Sequence, residues 1–585
     1  MPYNISISRR VDAARRLGAR PVLLAAWHRG PGRWLARRAL ANTAVPAGAF
    51  LPGSALAVPN LAPPDLAPQH RAAVLARAAA VAPADWHGPF AAAPHALGLD
   101  LFTPGDIRPV WERNRWAELP LLAQAVRLDP GGGHLTRAEA LLADWAARNP
   151  PFRGPNWACG QEAALRALHL GLALALLGAD HAPPPGARAL LALHGRRIAA
   201  TPAYALAQDN NHTVSEAAGL LACGLLLGEA GWTARGAARL EAALHRLVAP
   251  DGSFAQLSTG YHRLLLDVLA TVEWLRRRLG GPPLLATDRA AAAVRWLHRL
   301  AAPATGALPR LGHQDGSAFA DLALAGPDDA RPSLERAARL FCGASAGLAA
   351  EPGCAWLGLP AGPALAAPPA AWAGEGLRGW HVAGARACLR TGPLRFRPGQ
   401  ADLLHLDLWD GPLAVLRDGG TGAYNPAPEH AWWHAHLSGT AAHNTIAFDD
   451  EDQMPRLSRF LFSHWPATGA LPDGGWLRDW RGRRHERRVR AEGRRWVVAD
   501  RLGGPFREAV LRWRLAPGAW RAGPDGVEGV AARLRITADA PFACALEPGW
   551  ESPAYGVVRP APVLVVRVRS PVTNLKTVID LSAQS

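Results

Sequence analysis

One stretch of the sequence combines side chains that can hold an anion and move a proton beside it. Residues 210–216 read Asn-Asn-His-Thr-Val-Ser-Glu. The spacing of Thr213 and Glu216 is that of a capping box, which predicts a helix capped by Thr213. Asn211 and His212 would then lie just outside the helix N-terminus, where backbone N–H groups and the helix dipole favour an anion.

A phenol follows at the start of another predicted helix. Tyr261 and His262 come after a turn at residues 251–253. Ser258 or Thr259 is expected to cap this helix, which places the phenol in its first turn. The sequence therefore predicts that an amide, an imidazole and a phenol gather at like ends of neighbouring helices. Such a set can bind a carboxylate and transfer a proton next to it.

The composition limits the class of protein. A chain of 585 residues is too long for one ordinary domain, and 49% hydrophobic residues are enough for sizeable cores. The formal charge of +16 favours an acidic partner, which is a polyanionic glycan, a nucleic acid or an anionic membrane. The 23 tryptophans favour a glycan, because indole faces stack on sugar rings. The basic residues are dispersed and follow no zinc-finger or RNP-like spacing, so no nucleic-acid partner is expected.

The cysteine pattern and the lengths of the apolar runs bear on the cellular compartment of the protein. Six scattered cysteines without a CxxC pair predict free and mostly buried thiols. No apolar run is long enough to span a bilayer, so no membrane span is expected. The arginines near the N-terminus precede only a short apolar run at residues 21–27, which is a poor match to a secretory signal and leaves a cytoplasmic location open.

The periodicity of the chain changes once, from helical to β-type. Residues 1–85 form an Arg/Ala/Pro-rich arm without a clear pattern. Residues 86–356 contain serial helical segments with short Gly/Pro/Asp loops, among them predicted helices at residues 161–177 and 261–279, and together they predict an incomplete (α/α) toroid. Residues 357–376 are a Pro/Ala/Gly-rich linker. The alternating runs in residues 377–585, among them a predicted strand at residues 380–389, predict an antiparallel β-sandwich. The fold class is therefore multidomain, α then β.

A set of ordered motifs resembles one family. The motifs lie at residues 106–115, 149–151, 156–157, 162, 166, 211–212, 261–262, 312–316, 400–402, 417–421, 440–445 and 452–453. In this order and spacing the chain resembles the heparinase II/III-like polysaccharide lyases. The resemblance implies a helical toroid followed by an antiparallel β domain, an acidic polysaccharide such as a glycosaminoglycan as substrate, and a place in the cell envelope or periplasm.

The resemblance also implies roles for the first three residues. A lyase acting on a uronate must neutralise the carboxylate, remove the neighbouring C–H proton and protonate the leaving oxygen. The resemblance implies Asn211 for the first task. It implies Tyr261 as acid, and as base for one substrate epimer, with His212 as base for the other. A basic cleft would lower the pKa of the phenol. The alternative is that the three residues only support helix starts and a packed stripe.

Further residues of the helical and β parts are candidates for glycan subsites. These candidates for substrate binding are Glu112, Arg115, Asn156, Trp157, His262 and Gln453. An Arg–Glu pair and a tryptophan are equally common in a helical core, so a structural role is the alternative for each.

The β domain departs from the family pattern where a metal would bind. Many members carry His-x-His-Ala-Asp there, with one histidine in catalysis and the other binding zinc together with an Asp and a later His. Here Pro398 and Gln400 stand at those positions, while Asp418 and His443 remain as metal candidates. Gln is a poorer zinc ligand than His, so a structural zinc at the domain interface is left open and no cofactor is certain. His405 is expected on the opposite face of the strand from Gln400, because their spacing is odd.

Three functions remain open at this point. The first is β-elimination on an acidic polysaccharide. The second is a glycoside hydrolase, which needs two carboxylates across a cleft; Glu112, Asp315 and Glu216 are available, although Glu216 is expected to be engaged as a cap. The third is a non-catalytic glycan-binding or polysaccharide-assembly protein, which the missing histidines of the β domain keep open.

Overall fold

Helices fill the first part of the chain and strands the second, in a computed structural model that describes residues 7–41, 43–53, 62–82 and 84–582. The α-then-β organisation predicted from the sequence is confirmed. The helices of the first part are α1 (Ile7–Leu17), α2 (Ala19–Arg29), α3 (Pro31–Ala39), α4 (Pro68–Ala79), α5 (Ile107–Arg113), α6 (Glu118–Leu128), α7 (His134–Arg148), α8 (Gly160–Leu176), α9 (Pro185–Ala200), α10 (Pro202–Gln208), α11 (Asn211–Leu227), α12 (Ala230–Leu247), α13 (Thr259–Arg278), α14 (Thr287–Leu300), α15 (Arg331–Phe341) and α16 (Pro352–Trp356).

The Arg/Ala/Pro-rich N-terminal segment contains helices α1 to α4, which its pattern did not predict. Helix α4 carries Val74 and Ala78 into the helical core, where both are fully buried. The carboxylate of Glu139 accepts the backbone N–H groups of Phe50 and Leu51, each at 2.8 Å, and so holds these two residues against α7. Helices α1 to α3 keep most of their side chains exposed. The boundary predicted for this segment stays a prediction.

Two helices form the centre of the helical part because their sequences are almost wholly apolar. Every residue of α8 is buried, and α11 packs against α8, α9, α12 and α13. Small residues allow the close approach: a Cβ added to Gly219 in α11 would lie 2.5 Å from the Cβ of Ala164 in α8. Chain-neighbouring helices thus pack as pairs, which is consistent with the expected incomplete toroid.

The second part of the chain consists of antiparallel sheets with one short helix, α17 (Trp432–Leu437). Its strands are β1 (Ala371–Gly374), β2 (Gly376–Val382), β3 (Ala385–Gly392), β4 (Leu406–Asp410), β5 (Leu413–Leu416), β6 (Ile446–Phe448), β7 (Arg456–Ser458), β8 (Leu461–Phe462), β9 (Ala467–Leu471), β10 (Gly474–Arg478), β11 (Arg484–Glu492), β12 (Arg495–Gly503), β13 (Glu508–Arg514), β14 (Trp520–Gly523), β15 (Gly526–Gly529), β16 (Ala532–Ala538), β17 (Phe542–Ala554), β18 (Val557–Arg569) and β19 (Asn574–Leu581). The large sheets have the orders β1-β2-β3-β4-β5, β14-β15-β16-β19-β12-β11-β10-β9 and β17-β18-β13-β6.

One hydrophobic core lies between these sheets, as a sandwich requires. Trp496 of β12 and Trp513 of β13 are both fully buried in it. A buried ion pair adds to the core: Arg487 of β11 contacts Asp500 of β12 at 2.7 Å, and His485 donates to the same carboxylate at 2.7 Å. The apolar alternation along the strands therefore produced the sandwich that the sequence predicted.

Loops of the two parts meet near the ends of the helices. In the loop at residues 312–317, the backbone N–H of Gln314 donates to Thr421 Oγ1 at 2.7 Å. Asn425 Nδ2 donates to two backbone carbonyls of the 102–105 segment, at 2.6 and 2.8 Å. These contacts hold loops of the β domain over the helical part.

Two expectations from the composition concern thiols and membranes. All six cysteines are free, and four of them are buried, as predicted. Among the residues that the structure describes, no helix has the length and the apolar character needed to cross a membrane.

Candidate active site at the helix starts

Helices α8, α11 and α13 begin next to one another. The predicted catalytic residues lie in the first turns of α11 and α13. Helix α13 begins as predicted, because Ser258 Oγ accepts the N–H of Tyr261 at 3.1 Å. Helix α11 begins earlier than predicted. Asn210, not Thr213, is its cap, since Asn210 Oδ1 accepts the N–H of His212 at 3.0 Å. The hydroxyl of Thr213 donates instead to a carbonyl of α10 at 2.8 Å, so the capping-box prediction was wrong.

Asn211 lies in the first turn of α11 and links it to its neighbours. Its Nδ2 donates to Oε1 of Gln161, in the first turn of α8, at 2.8 Å. Its backbone N–H donates to Gln256 Oε1 at 3.3 Å. A primary amide carries two N–H groups, so a second one remains to donate to a ligand. Asn211 is therefore held in place to donate without bringing a competing charge.

His212 lies between a thiol and a buried carboxylate. Its Nδ1 is 3.8 Å from Cys159 Sγ and 3.8 Å from Glu216 Oε1. Burial lowers the pKa of His212, but Cys159 and Glu216 together outweigh burial and raise it to about 10. At neutral pH the imidazole is thus a cation, which suits binding an anion better than removing a proton. Neither oxygen of Glu216 accepts a hydrogen bond among the described residues, so the prediction that it is engaged as a cap was wrong.

The phenol of Tyr261 lies between a carboxylate and a second phenol. Its hydroxyl donates to Asp315 Oδ2 at 2.8 Å and accepts from the hydroxyl of Tyr424, also at 2.8 Å. Burial and the charge of Asp315 raise the pKa of Tyr261 well above its usual value, although Arg108 opposes them. The expectation that a basic cleft lowers this pKa was wrong, because the nearest charge is negative. Tyr261 therefore keeps its proton at neutral pH, which is the form that a general acid must have before it acts.

A buried ion network supports the carboxylate under this phenol. Asp315 accepts from Arg108 Nε at 3.0 Å. Burial alone would raise the pKa of Asp315, but Arg108 and Arg115 lower it to about 2. Arg115 is almost fully buried and donates twice to Glu162, at 2.7 Å each, while both arginines pair with Glu112. Arg115 is thus a supporting residue, whereas the side chain of Glu112 is 32% exposed and remains a candidate for substrate contact.

Four residues predicted to bind substrate lie in the core instead. Asn156 and Trp157 are both 0% exposed; the amide of the first donates to a backbone carbonyl at 2.8 Å, and the indole of the second packs among aromatic rings. His262 is also 0% exposed and stacks on Trp296 with ring centroids 4.5 Å apart. The side chain of Gln453 accepts the backbone N–H of Leu403 and donates to the carbonyl of the same residue. None of these positions supports direct contact with a substrate.

An open cleft separates the helix starts from the β-domain loop at residues 397–400. The volume of the cleft is about 730 Å³, which includes the solvent space at its open side. Its charged and polar lining includes Arg246, Gln256, Ser258, His313, Glu375, Arg390, Arg395, Arg397, Gln400 and Asp402. Asn211 and Tyr261 lie directly behind this lining, because Gln256 bonds the first and Ser258 caps the turn of the second. Asn211 and Tyr261 are thus each one hydrogen bond away from a residue of the cleft lining, while Asn211, His212 and Tyr261 are not lining residues themselves.

Sequence reasoning missed His313 and Tyr424 as parts of this site. The imidazole of His313 packs against Gly399, where an added Cβ would lie 2.9 Å from the ring, and its Nε2 has no hydrogen-bond partner among the described residues. Burial lowers the pKa of His313 to about 4, so the ring is neutral. The glycine-bounded loop at residues 312–316 was a signal for His313. No short-range feature of the sequence indicates that Tyr424 belongs to the site, because it is 163 positions from Tyr261 in the chain.

Arg397 is a further cation of the cleft that the sequence did not single out. It donates to Gln208 Oε1 at 2.9 Å and to the carbonyl of Ala207 at 3.0 Å. No carboxylate lies within ion-pair distance of it in the described part of the chain. Its charge is therefore available to an anionic ligand.

The predicted metal candidates form a buried cluster in the β domain. His443 Nδ1 donates to Asp418 Oδ2 at 2.8 Å, and a ligand atom of His405 lies within 4.8 Å of both. The prediction that His405 faces away was wrong. Residues 400–405 are not a strand, and Leu404 has a φ of 60°, so the alternation of strand side chains does not apply there.

The hydrogen bonds of this cluster do not fit a zinc ion. His405 Nδ1 accepts the N–H of Asn444 at 2.9 Å, which places the ring proton on Nε2, and Nε2 donates to Asp407 at 2.9 Å. A zinc ligand needs a free lone pair at that nitrogen. Gln400, at the position of the family's third ligand, donates to the carbonyl of Gly420 at 3.0 Å. We therefore derive no catalytic step from a metal, and the structural zinc stays a prediction.

The fold and the site match known proteins of one kind. Residues 373–582 match the family model described as Heparinase II/III-like, C-terminal. A crystal structure of heparinase III superimposes with a TM-score of 0.62 at 13% identity, covering 99% of this chain and 94% of that chain. The heparan sulfate lyase HepC from Pedobacter heparinus gives 0.55 at 16% identity, covering 95% and 88%. No curated protein matches the sequence.

These matches define a two-domain protein with the heparinase III fold. The β domain of the chain matches the family model over residues 373–582, and the whole chain has the fold of the solved heparinases. The family resemblance found in the motifs is thereby confirmed.

Proposed function

We propose that this protein is a polysaccharide lyase that cleaves a uronate-containing acidic polysaccharide by β-elimination. The observation that carries the proposal is the phenol of Tyr261. It stays protonated beside Asp315, bonds Tyr424 across the domain interface, and lies behind an arginine-rich cleft. The heparan sulfate lyase among the similar structures is named for a substrate of this chemical class.

Neutralising the uronate carboxylate is the first task of the site. Asn211 has an N–H to donate, Arg397 has an unpaired charge, and His212 is a cation at neutral pH. Donors fixed in a partly buried site stabilise the carbanion-like transition state, in which the carboxylate takes up negative charge. These three residues are the candidates for holding the carboxylate.

Moving the two protons is the second task. His212 is poorly suited as base because the neighbouring Cys159 and Glu216 raise its pKa to about 10, which keeps it protonated at neutral pH. His313 has an unpartnered Nε2, so we assign it to remove the proton from the carbon next to the carboxylate. The electron pair of that C–H bond forms the new C=C bond, the neighbouring C–O bond breaks, and Tyr261 protonates the leaving oxygen. The product is an unsaturated uronate.

A glycoside hydrolase on the same scaffold is less well supported. It requires one protonated carboxyl group and one free carboxylate across the cleft. Asp315 is an anion with a pKa of about 2, and Glu112 is paired with Arg108 and Arg115. Glu216 lies beside the cationic His212. No carboxyl group of this set is arranged as a general acid.

One assay distinguishes the candidate functions. The protein is incubated with heparan sulfate, chondroitin, hyaluronan, alginate and a bacterial capsular polysaccharide, and ultraviolet absorbance of the conjugated unsaturated uronate is followed. A rise in absorbance with one of these substrates supports the lyase. New reducing ends without that absorbance indicate hydrolysis and contradict the proposal. Binding without any cleavage indicates a non-catalytic glycan-binding protein.

A further inference from the structure

The three N-terminal helices carry an exposed apolar surface that no other part of the described chain covers. We name helices α1 to α3 with their exposed side chains the N-terminal surface. Its large apolar residues, with their exposed fractions, are Ile7 81%, Val11 43%, Val22 39%, Leu23 68%, Trp27 50%, Trp34 57% and Leu35 48%. Soluble proteins expose single residues of this kind, but seven within 29 positions form a patch that calls for a partner.

The apolar residues follow the helical period. Ile7 and Val11 are four positions apart on α1, and Leu23 and Trp27 are four apart on α2. Trp34 lies on α3, and Trp27 reaches toward α3, since its indole lies 2.6 Å from where a Cβ on Gly32 would be. Ile7 and Val11 therefore share one face of α1, Leu23 and Trp27 share one face of α2, and Trp27 lies against the start of α3, which carries the exposed Trp34 and Leu35.

The same helices are strongly basic. Residues 7–41 contain nine arginines, at positions 9, 10, 15, 16, 20, 29, 33, 37 and 38, and one acidic residue, Asp12. Asp12 is paired with Arg16 at 2.8 Å. Arg20 reaches Asp209 at 3.6 Å, and no other arginine of the N-terminal surface has a carboxylate partner among the described residues. The charge is thus largely free to meet an anionic partner.

We infer that the N-terminal surface binds an anionic lipid bilayer and holds the protein at a membrane without spanning it. Aliphatic and indole side chains can insert at the boundary of headgroups and acyl chains, while arginines on the flanks contact lipid phosphates. An acidic polysaccharide would match the arginines and the indoles, but it offers no apolar medium for exposed Ile, Val and Leu. The aliphatic residues therefore favour lipid.

The N-terminal surface is attached firmly enough to carry the rest of the molecule. Helix α2 packs on α10, where His28 and Tyr204 have ring centroids 5.0 Å apart. The backbone N–H of His464 in the β domain donates to Asp12 at 2.6 Å. Asp209, the partner of Arg20, also binds Arg246 of the cleft at 2.6 Å. Membrane binding would therefore hold the cleft close to the bilayer.

Flotation with lipid vesicles tests this inference and does not depend on catalytic activity. The full chain is mixed with vesicles of phosphatidylcholine containing phosphatidylglycerol, or of phosphatidylcholine alone, and centrifuged through a density gradient. We expect flotation with the anionic vesicles, and weaker flotation as salt is raised, because exposed charges are screened. No flotation with anionic vesicles, or equal flotation with the neutral ones, overturns the inference.

Two variants separate the apolar and charged contributions. Leu23→Gln with Trp34→Gln should reduce the vesicle-bound fraction about tenfold or more, since burial of apolar area is lost. Arg10→Gln, Arg15→Gln and Arg37→Gln together should weaken binding to anionic vesicles and leave the small binding to neutral vesicles unchanged. Leu285→Gln with Val530→Gln is the matched control, because these side chains are 77% and 91% exposed outside the N-terminal surface.

Other occupants of this surface give different results. If light scattering finds a dimer that the Leu23→Gln, Trp34→Gln variant dissociates, and vesicles do not bind, the occupant is a second copy of the chain. If a soluble acidic polysaccharide binds the wild type and the same variant loses that binding while vesicles do not bind, the surface is a glycan site. Either result contradicts membrane binding. All the substituted residues are exposed, so thermal unfolding should be unchanged in every variant.

Discussion

At the scale of single residues, the charge beside each candidate decides its role. Tyr261 faces a carboxylate and keeps its proton, His212 faces a thiol and a carboxylate and gains one, and His313 stays neutral because burial outweighs the nearby charge of Asp315. The family resemblance assigned the base to His212 and Tyr261. The surroundings of these residues favour a different division, with Tyr261 as acid and His313 as base.

Removing one oxygen atom tests the acid. Tyr261→Phe should lower kcat by about 10²–10⁴-fold with little change in KM, because the leaving oxygen loses its proton donor. The initial rate of ultraviolet absorbance change measures this. Tyr204→Phe also removes one phenol oxygen, from a ring 5.9 Å from that of His212, and should lose much less activity because Tyr204 is not the proton donor. Equal activity in Tyr261→Phe and wild type would exclude Tyr261 as the acid.

The pH profile distinguishes the two histidines. A base acts only when deprotonated, and burial holds the pKa of His313 at about 4. If His313 is the base, kcat/KM should be nearly constant from pH 5.5 to pH 8.5. If His212 is the base, its pKa of about 10 predicts a rate that rises about tenfold per pH unit over the same range. A rising profile would contradict the role proposed for His313.

At the scale of elements, short-range signals predicted helices better than strands. The predicted helix at residues 161–177 is α8, and the predicted helix at residues 261–279 is α13, each within two residues at both ends. The predicted strand at residues 380–389 is instead the hairpin of β2 and β3. Its turn, at Ala383 and Gly384 with φ of 49° and 77°, interrupts an otherwise apolar run. An apolar run does not reveal where a strand reverses.

The start of α11 offers a test at this scale. Asn210→Ala should cost about 1 kcal/mol of stability, because the N–H of His212 loses its acceptor at the helix start. Asn210→Asp keeps an oxygen at the same place and should cost much less. Chemical denaturation measures both. If Asn210→Ala were as stable as the wild type, Asn210 would not be the cap.

The cluster of His405, Asp418 and His443 gives a second test at this scale. Its members already bond one another and Asp407, so we expect the purified protein to contain far less than one zinc per chain. Elemental analysis measures this directly. Incubation with EDTA should leave the midpoint of thermal unfolding unchanged. Stoichiometric zinc, or a fall of that midpoint with EDTA, would show that the cluster binds metal after all.

At the scale of the whole molecule, the site exists because two domains meet. Tyr261 and Asp315 come from the helical part, whereas Tyr424 and the loop at residues 397–400 come from the β domain. Tyr555 adds to this interface, because its hydroxyl donates to Asp106 at 2.6 Å and accepts the N–H of Tyr424 at 2.8 Å. The position of each domain therefore affects the geometry of proton transfer.

Loosening the interface should reduce activity more than stability. Asn425→Ala removes two hydrogen bonds to the 102–105 segment and should lower kcat/KM about tenfold, because small displacements of positioned groups slow catalysis. The midpoint of thermal unfolding should change by only a few degrees, since other contacts join the domains. Asn574→Ala is the control, because the side chain of Asn574 bonds only Asp539 and Thr573, two exposed residues of the β domain. Unchanged activity in Asn425→Ala would mean that the interface does not position the site.

The sequence by itself determined the order of helices and strands and the resemblance to one family, and it limited the cap of α13 to Ser258 or Thr259. These depend on the period of apolar residues and on residues close together in the chain, which physical preferences connect directly. It also pointed to Asn211 and Tyr261, whose positions at helix starts are local properties.

Only the tertiary structure decided which residues meet. It placed His405 beside Asp418, buried Asn156 and Trp157, and brought Tyr424 against Tyr261. It also fixed the charges of the candidate histidines, because the pKa of a group depends on its burial and on neighbours that are distant in the chain. For this reason the sequence was enough to find Asn211 and Tyr261. It was not enough to decide which of Tyr261, His212 and His313 acts as acid and which as base.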